Sequence, residues 1–423
     1  MLRFACSPTA DLSLESLRLA LMNFVVAMQR NEGFVIRIED TDQKRNIEGK
    51  DAEIVALLEL FGITYKDVLY QSKNFKFHSA MAIDLLHRKK AFNCFCSLEE
   101  LEAKKKKAKE QKRLYSYDGS CEQLPAEEVI DNPKPFTVRI KKPTKNISFV
   151  DRVQGELSFS PEEVDSFVIL NVDKTPTYDF ATAVDDMLSD ISVVISSEEQ
   201  IESAPKQIHV RSSLGYDKAI EYAHLPPMLE ADTDIKSLLQ EGFLPQAIAN
   251  YLLTLGTNDS ERIFTLEEAK EHFNLAKIGK TAVKFDKERL REINKEHLLR
   301  LDDKELSRFV GFADAQIGAL AKLFVDSAGT TRELKREIQR IFSKKEIPQK
   351  YASTAATLKK IICQAPYFGE YENFIQHLKK ESALEERELL TALQLLISGS
   401  TDKVEPKEIY PHIKNYIKEI VSC

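Results

Sequence analysis

The first sixty residues restrict the fold of this chain more than any other segment. An apolar run, "LRFAC", precedes a short polar loop and an amphipathic segment that ends near Arg30. The β-rich run "FVIRIED", Phe34 to Asp40, and the helically spaced "GKDAEIVALLELFG", Gly49 to Gly62, then repeat the order. Strands that alternate with helices in this way predict a parallel sheet covered by helices, an α/β fold.

The rest of the chain departs from this alternation, and 423 residues are too many for one core, so we expect two to four domains. A lysine-rich helix begins at the capping box Ser97–Glu100, and β-like pieces such as "FTVRIKK" and "SFVILNV" follow. The final third is almost wholly helical, with a long amphipathic run that closes at Gly399. We predict an α/β domain in two halves, 1–90 and 185–223, with an α+β insertion, 91–184, between them. A segment of short helices, 224–300, and an all-α region, 301–423, follow.

Composition excludes several classes of protein. No apolar run is long enough to span a membrane, and the N-terminus lacks a signal-type pattern. Six cysteines in so long a chain do not make a disulfide framework, so a reducing, cytoplasmic location is expected. The phosphate-binding motifs G-x-x-x-x-G-K-[ST] and G-x-G-x-x-G are absent, as is H-E-x-x-H.

Although the net charge is −7, the chain contains one dense basic run, "KKKKAKEQKR", Lys104 to Arg113. Its first four lysines are candidate contacts for RNA phosphates: Lys104, Lys105, Lys106 and Lys107. The alternative is an ordinary solvated helix face.

Three cysteines are spaced like metal ligands. Cys94 and Cys96 form "CFC", and Cys121 closes "YDGSC", with Tyr117 four residues before it. Zinc takes four ligands, mostly sulfur and nitrogen, and a tyrosine oxygen is an unusual fourth. From spacing alone, three unrelated buried thiols remain the alternative.

Several stretches together resemble the bacterial glutamyl-tRNA synthetase family, in that family's order and over essentially the whole chain: "RFACSPT", "RIEDTDQKRN", "DSFVILNVDKTPTYDFATAVDDM", "YAHLP" and "EGFLPQAIANYLLTLG". The resemblance implies a Rossmann-type class I catalytic domain split by an acceptor-stem insertion, then a stem-contact domain and a helical anticodon-binding region. It also implies a structural zinc ion held by Cys94, Cys96, Tyr117 and Cys121, since some family members carry that pattern as a zinc site.

The chain departs from the family at positions that bind ATP and glutamate. In the HIGH-type motif the first histidine falls on Ser13 and the glycine on Glu15, a carboxylate where phosphates need positive charge. The lysine-rich KMSKR loop is shortened to the acidic "EADTD", with Lys236 in the following helix. The arginine expected to grip the glutamate carboxylate is Ser196.

Other pocket positions match the family, and the resemblance implies that they surround glutamate: Arg3, Ser7, Glu39 and Tyr178. Each has an ordinary alternative: Arg3 as a surface ion pair, Ser7 as a turn former, Glu39 as a cap and Tyr178 as a core residue.

These observations leave three functions. The first is a synthetase-like protein with a degraded site, not competent to adenylate glutamate, that keeps a scaffold for tRNA or a protein partner. The second is an active glutamate–tRNA ligase with divergent motifs, which needs ATP and magnesium. The third is a different nucleotidyl or acyl transfer on the same fold. We expect a monomer that contacts neither membranes nor DNA.

Overall fold

The computed structural model describes residues 1–229, 233–258, 262–400 and 404–422. Its strands, numbered along the chain, are β1 (Leu2–Cys6), β2 (Phe34–Ile38), β3 (Val68–Tyr70), β4 (Ala91–Cys94), β5 (Thr137–Ile140), β6 (Ile147–Asp151), β7 (Gly155–Phe159), β8 (Val168–Leu170), β9 (Val193–Ser197), β10 (Glu221–Leu225), β11 (Met228–Leu229) and β12 (Val283–Lys284).

The α-helices are α1 (Leu14–Arg30), α2 (Lys50–Leu60), α3 (Phe75–His87), α4 (Leu98–Glu110), α5 (Ala126–Ile130), α6 (Pro161–Val164), α7 (Tyr178–Leu188), α8 (Ser203–Ser213), α9 (Ile235–Glu241), α10 (Pro245–Thr254), α11 (Ala269–His272), α12 (Lys287–Arg300), α13 (Asp303–Val310), α14 (Ala315–Lys322), α15 (Thr331–Phe342), α16 (Ala352–Gln364), α17 (Tyr371–Ser382), α18 (Glu386–Ser398), α19 (Pro406–Ile413) and α20 (Ile417–Ser422). No helix within the described ranges has both the length and the apolar character needed to cross a bilayer.

The predicted α/β class is confirmed by a seven-stranded sheet in the order β3-β2-β1-β9-β10-β6-β7. All neighbours in it are parallel except the β6–β7 hairpin. Helix α1 packs its apolar face on the sheet, where Phe24 meets Phe34 edge to face with ring centroids 5.5 Å apart. Strand β1 is nearly covered because helices and neighbouring strands enclose it, which explains why its residues other than Arg3 are apolar.

A separate three-stranded antiparallel sheet, β4-β5-β8, lies within the range predicted as an insertion. The β6–β7 hairpin from the same range instead extends the edge of the main sheet beside β10. The predicted capping box is confirmed at the start of α4, where Ser97 accepts from the backbone N–H of Glu100 and the Glu100 carboxylate accepts from that of Ser97.

By compactness the chain forms two units, Met1–Asp232 with Leu252–Phe285, and Thr233–Tyr251 with Asp286–Cys423. The five ranges predicted from the sequence remain a prediction, because compactness does not identify what each range binds.

The second unit is helical, as its periodicity predicted. Gly318 permits its closest helix contact: a Cβ there would lie 1.7 Å from the carbonyl oxygen of Asp303. Helix α18 ends at Gly399, whose φ of 68° suits a left-handed cap. Asn294 is fully buried and joins two segments, accepting from the Leu244 N–H and donating to the Gly329 carbonyl.

Candidate active site and metal centre

The order of the main sheet creates a crevice beside its centre. Strands β1, β2 and β3 are added in one direction, and β9 and β10 in the other, so the chain reverses between β1 and β9. In open α/β sheets, ligands bind outside the carboxyl ends of the strands at such a point. A cavity of about 280 Å³ lies there, lined by Cys6 and Ser7 after β1 and by Ser196 and Ser197 at the end of β9.

The residues predicted to surround glutamate converge on this cavity. Arg3, Ser7, Glu39 and Tyr178 all line it, and so does Ser196, the position where the resemblance implies an arginine. Tyr178 is 43% exposed, so it is not the core residue that we weighed as an alternative. Its hydroxyl donates to Gln200 Oε1 at 3.0 Å.

A buried ion network supports the floor of the cavity. Asp186 accepts from Arg3 Nε at 2.9 Å and Nη2 at 3.2 Å, and it also pairs with Arg37, whose Nη2 donates to Glu39 at 3.1 Å. Burial opposes ionisation of Asp186, but the two guanidinium groups outweigh it and lower its pKa to about 2. Arg3 is therefore a buried ion pair rather than a surface one, and part of its hydrogen-bonding capacity is already used.

The cavity is also lined by polar residues that no motif in the sequence predicted, among them Gln200, Gln207 and His224. His224 is held by Asp151, with Nδ1 2.6 Å from Oδ2, and the same carboxylate accepts from the His224 backbone N–H. The stretch "YAHLP" contained His224, but its partner stands 73 residues away, so no local pattern could have revealed the pair.

The two positions at which we predicted an altered motif, Ser13 and Glu15, lie outside the lining of the cavity, at the start of α1. Ser13 is the N-cap of that helix, and its hydroxyl accepts from the Ser16 N–H at 3.0 Å. Glu15 is half-buried, and this burial together with the nearby Glu199 carboxylate raises its pKa. Glu199 therefore repels the Glu15 carboxylate at the start of α1, and the Arg18 guanidinium compensates this only in part.

The loop that we predicted to be shortened lies only partly within the described residues. Residues 230–232 of "EADTD" lie outside the described residues. Asp234 is the N-cap of α9 and accepts from the Ser237 N–H at 2.7 Å, and Lys236 lies in that helix.

The structure brings the three predicted cysteines together. The sulfur atoms of Cys94, Cys96 and Cys121 all lie within 4.8 Å of one another. Tyr117 Oη is 3.4 Å from Cys94 Sγ and 3.5 Å from Cys96 Sγ, and the Cys96 and Cys121 sulfurs are 3.6 Å apart. The alternative of three unrelated buried thiols is therefore wrong.

These separations suit a tetrahedral ion. With Zn–S bonds of about 2.3 Å and Zn–O bonds of about 2.0 Å, the edges of a tetrahedron are about 3.8 Å between sulfurs and about 3.5 Å between sulfur and oxygen. The Phe95 N–H also donates to Cys121 Sγ at 3.4 Å. Burial opposes ionisation of Cys94, yet the contacts with Tyr117, the Cys96 backbone and Arg139 bring its pKa below the ordinary value. The four side chains can hold a metal ion.

The basic run forms part of α4, with its four lysines in unequal settings. Lys104 pairs with Asp118 at 2.8 Å and donates to Ser120, so it supports the turn that carries Cys121. Lys105 pairs with Glu102 on its own helix. Lys106 and Lys107 are exposed.

Comparison with known proteins decides the family. Residues 1–292 match the model of the tRNA synthetases class I (E and Q) catalytic domain. The chain belongs to this family. A protein named glutamate–tRNA ligase 2 in Sulfurimonas denitrificans is 52% identical, and glutamate–tRNA ligase 1 of a Nitratiruptor strain is 46% identical, both over 100% of each chain. Glutamate–tRNA ligase 1 of Campylobacter jejuni is 44% identical over 99% of each.

Solved structures show the same fold. A glutamate–tRNA ligase from Elizabethkingia meningosepticum, crystallised with its amino acid, superposes with a TM-score of 0.82 at 22% identity, over 99% of this chain and 98% of that one. The glutamate–tRNA synthetase of Elizabethkingia anophelis superposes with a TM-score of 0.79 at 23% identity, over 100% of this chain and 99% of that one. The predicted family and Rossmann-type class I fold are confirmed. Of the functions predicted from the sequence, the active ligase agrees better with the full-length matches than the degraded site does.

Proposed function

We propose that this protein is a glutamate–tRNA ligase that uses ATP and Mg²⁺ to join glutamate to tRNA. The observation that carries the proposal is the convergence of Arg3, Ser7, Glu39 and Tyr178 on one cavity at the chain reversal of the sheet. Full-length relatives with this named activity support it.

The cavity residues have distinct tasks in this reaction. Arg3 provides positive charge beside the amino acid, while Glu39 and the Tyr178 hydroxyl suit its ammonium group. His224, oriented by Asp151, adds a polar group to the same wall. Because Asp186 neutralises much of the charge of Arg3 and Arg37, the pocket is preorganised without glutamate.

The deciding experiment is ATP–pyrophosphate exchange with glutamate, in the presence and absence of total tRNA, followed by attachment of labelled glutamate to tRNA. We expect glutamate-dependent exchange and charging that rise with tRNA. Arg3→Lys should lose most of the activity, because a single ammonium cannot keep the two-point contact with Asp186 and also face the cavity. No exchange from the folded protein with any tRNA fraction would contradict the proposal.

A second function is favoured by one specific observation, the pair of acidic groups Glu15 and Glu199 at the start of α1. Negative charge there opposes the triphosphate of ATP. In this second function the protein binds tRNA, or a protein partner, without forming glutamyl adenylate. Retention of tRNA binding with no exchange would select it over the ligase.

We also propose that the cluster of Cys94, Cys96, Tyr117 and Cys121 holds a structural zinc ion. When bound, the ion joins the loop after β4 to the turn before residue 122 and adds its binding free energy to folding. Protein purified without chelators should contain close to one zinc per chain, and Cys96→Ser should lose it. Cys363→Ser is the matched control, since that exposed cysteine lies in the other unit. Unchanged metal content in Cys96→Ser would contradict the assignment.

A further inference from the structure

A second cavity lies near the amino ends of the strands of the main sheet, whereas the glutamate cavity lies near their carboxyl ends. Its volume is about 400 Å³, and the loop between β5 and β6, residues 141–146, forms one wall. Because β6 runs parallel to β10, this loop lies at the amino end of the sheet, whereas His224 and the first cavity lie toward the carboxyl ends.

Helix α8 spans the distance between the two cavities. Ala204 and Gln207 line the first cavity, and His209, Ser212 and Ser213 line the second. Ala204 and Ser212 lie about 12 Å apart along the helix axis, and although Gln207 and Ile208 are neighbours on it, the two linings share no residue. The second cavity is therefore a separate site and not an extension of the first.

The lining of this cavity is strongly one-sided in charge. It contains five lysines and no aspartate or glutamate, although the whole chain carries 67 acidic and 60 basic residues. The lysines come from two separate segments, the turn after α3 and the β5–β6 loop: Lys89, Lys90, Lys141, Lys142 and Lys145.

Acidic groups outside the cavity compensate only two of these lysines, and weakly. Lys141 Nζ is 3.5 Å from Glu122 and Lys142 Nζ is 3.9 Å from Glu162. Lys89, Lys90 and Lys145 make no ion pair in the part of the chain that the structure describes, and all three are exposed.

The ordinary explanation of these lysines is helix polarity. Helices α3 and α8 both end here, and each carboxyl terminus carries roughly half a negative charge. Together they offset about one of the five positive charges, so a large excess remains. His209 does not add to it, because burial lowers its pKa and its Nε2 donates to the Lys141 carbonyl at 2.7 Å.

The lining also indicates what kind of anion fits. Apart from His209, it contains no aromatic ring to stack on a base, and it has no guanidinium to grip one carboxylate in a two-point contact. Lysine ammonium groups act as point charges toward phosphate. A concave cavity of this size suits a compact ligand better than the convex surface of an RNA duplex.

We propose that this basic cavity binds a small, soluble polyphosphate chain of two or more phosphate groups, recognised by charge and not by a base. The site is independent of the proposed ligase activity, because it lies at the other end of α8 and shares no lining residue with the glutamate cavity.

The test uses sodium tripolyphosphate as the probe, in calorimetric titrations of the full chain at about 0.15 M salt, where exposed charges are largely screened beyond about 8 Å. The variant Lys89→Gln/Lys90→Gln/Lys145→Gln should weaken binding at least about tenfold, since each lost pair contributes a modest amount. The control Lys105→Gln/Lys106→Gln/Lys107→Gln removes the same charge from α4 and should change binding less than about twofold.

Three outcomes would overturn the proposal. The first is no binding by the wild-type protein, and the second is equal binding by the cavity variant, which would place the probe elsewhere. The third is a greater loss of affinity for a short RNA duplex than for tripolyphosphate, which would identify an RNA surface. Thermal unfolding checks that the triple variant is folded, and Lys145→Gln alone, in an exposed loop, serves if it is not. Glutamate-dependent exchange is measured separately, so failure of either proposal can be recognised.

Discussion

The glutamate cavity and the cysteine cluster organise their polar groups in different ways. Beside the cavity, Arg3 and Arg37 are both paired with the buried Asp186, and Arg37 also with Glu39, so positive and negative groups already balance. In the cluster, three sulfurs and the Tyr117 oxygen contact mainly one another, and the nearest cation, Arg139, lies over the ring at 4.4 Å. The protein alone therefore organises the cavity, whereas the cluster, in our zinc proposal, receives its balancing positive charge from the ion.

The largest expected effect tests the first half of this comparison. Asp186→Asn should destabilise the protein by about 3–5 kcal/mol, because it leaves the buried Arg3 without a carboxylate and Arg37 with Glu39 alone. Urea unfolding measures the change. The control Asp190→Asn removes an exposed carboxylate that also accepts two hydrogen bonds and should have little effect. Equal effects of the two variants would show that the buried ion network does not stabilise the region around the cavity.

The same carboxylate predicts a pH dependence. The pKa of Asp186 is about 2 in the folded protein, below an unfolded value near 3.9, so its stabilisation is complete above about pH 4. It should be lost as the pH falls toward 2, and Asp186→Asn should lose this part of the acid dependence. Unfolding free energies measured between pH 5 and 2 check the prediction.

The second half of the comparison is tested by removing the metal. A strong chelator should increase backbone hydrogen exchange around Cys94 to Cys96 and Tyr117 to Cys121 by at least about tenfold, because the ion joins those segments. Exchange in β1 and β9, beside the cavity, should not change. An equal response in both regions would mean that the ion stabilises the whole unit and that the contrast is wrong.

A smaller effect concerns Glu15, whose carboxylate is repelled by Glu199 and only partly compensated by Arg18. Glu15→Gln should raise the rate of glutamate-dependent exchange roughly tenfold, because it removes one of two facing negative groups near the proposed ATP site. Glu202→Gln, an exposed carboxylate nearby, is the control. A decrease in rate would indicate that Glu15 takes part in catalysis.

The smallest effect is expected on α4, beside the cluster. Lys106→Gln/Lys107→Gln should lower tRNA affinity a few-fold and reduce the slope of log affinity against log salt by about 2, if both contact phosphates. Lys105→Gln should do less, since Glu102 already pairs with Lys105. Salt-dependent filter binding measures both, and identical slopes for all three proteins would leave α4 as a solvated face.

Much of the fold was predictable because its signals are local. The apolar runs of β1 and β2, the capping box at Ser97 and the glycine after α18 each act within a few residues. The cysteine cluster was also predictable, since Cys94, Cys96 and Cys121 are held by one short loop and one turn. The placement of the β6–β7 hairpin beside β10 was not predictable, because pairing between strands about seventy residues apart produces no periodic pattern in the sequence.

The sequence by itself determined the family, the alternating α/β order and the residue types around the proposed pocket. These properties depend on runs and motifs of adjacent residues. Only the tertiary structure decided how their charges are used. It paired Arg3 with Asp186 and His224 with Asp151, and it collected unpaired lysines from two distant segments into one cavity. Electrostatic interactions depend on distance in space and on burial, and neither quantity can be read from separation along the chain.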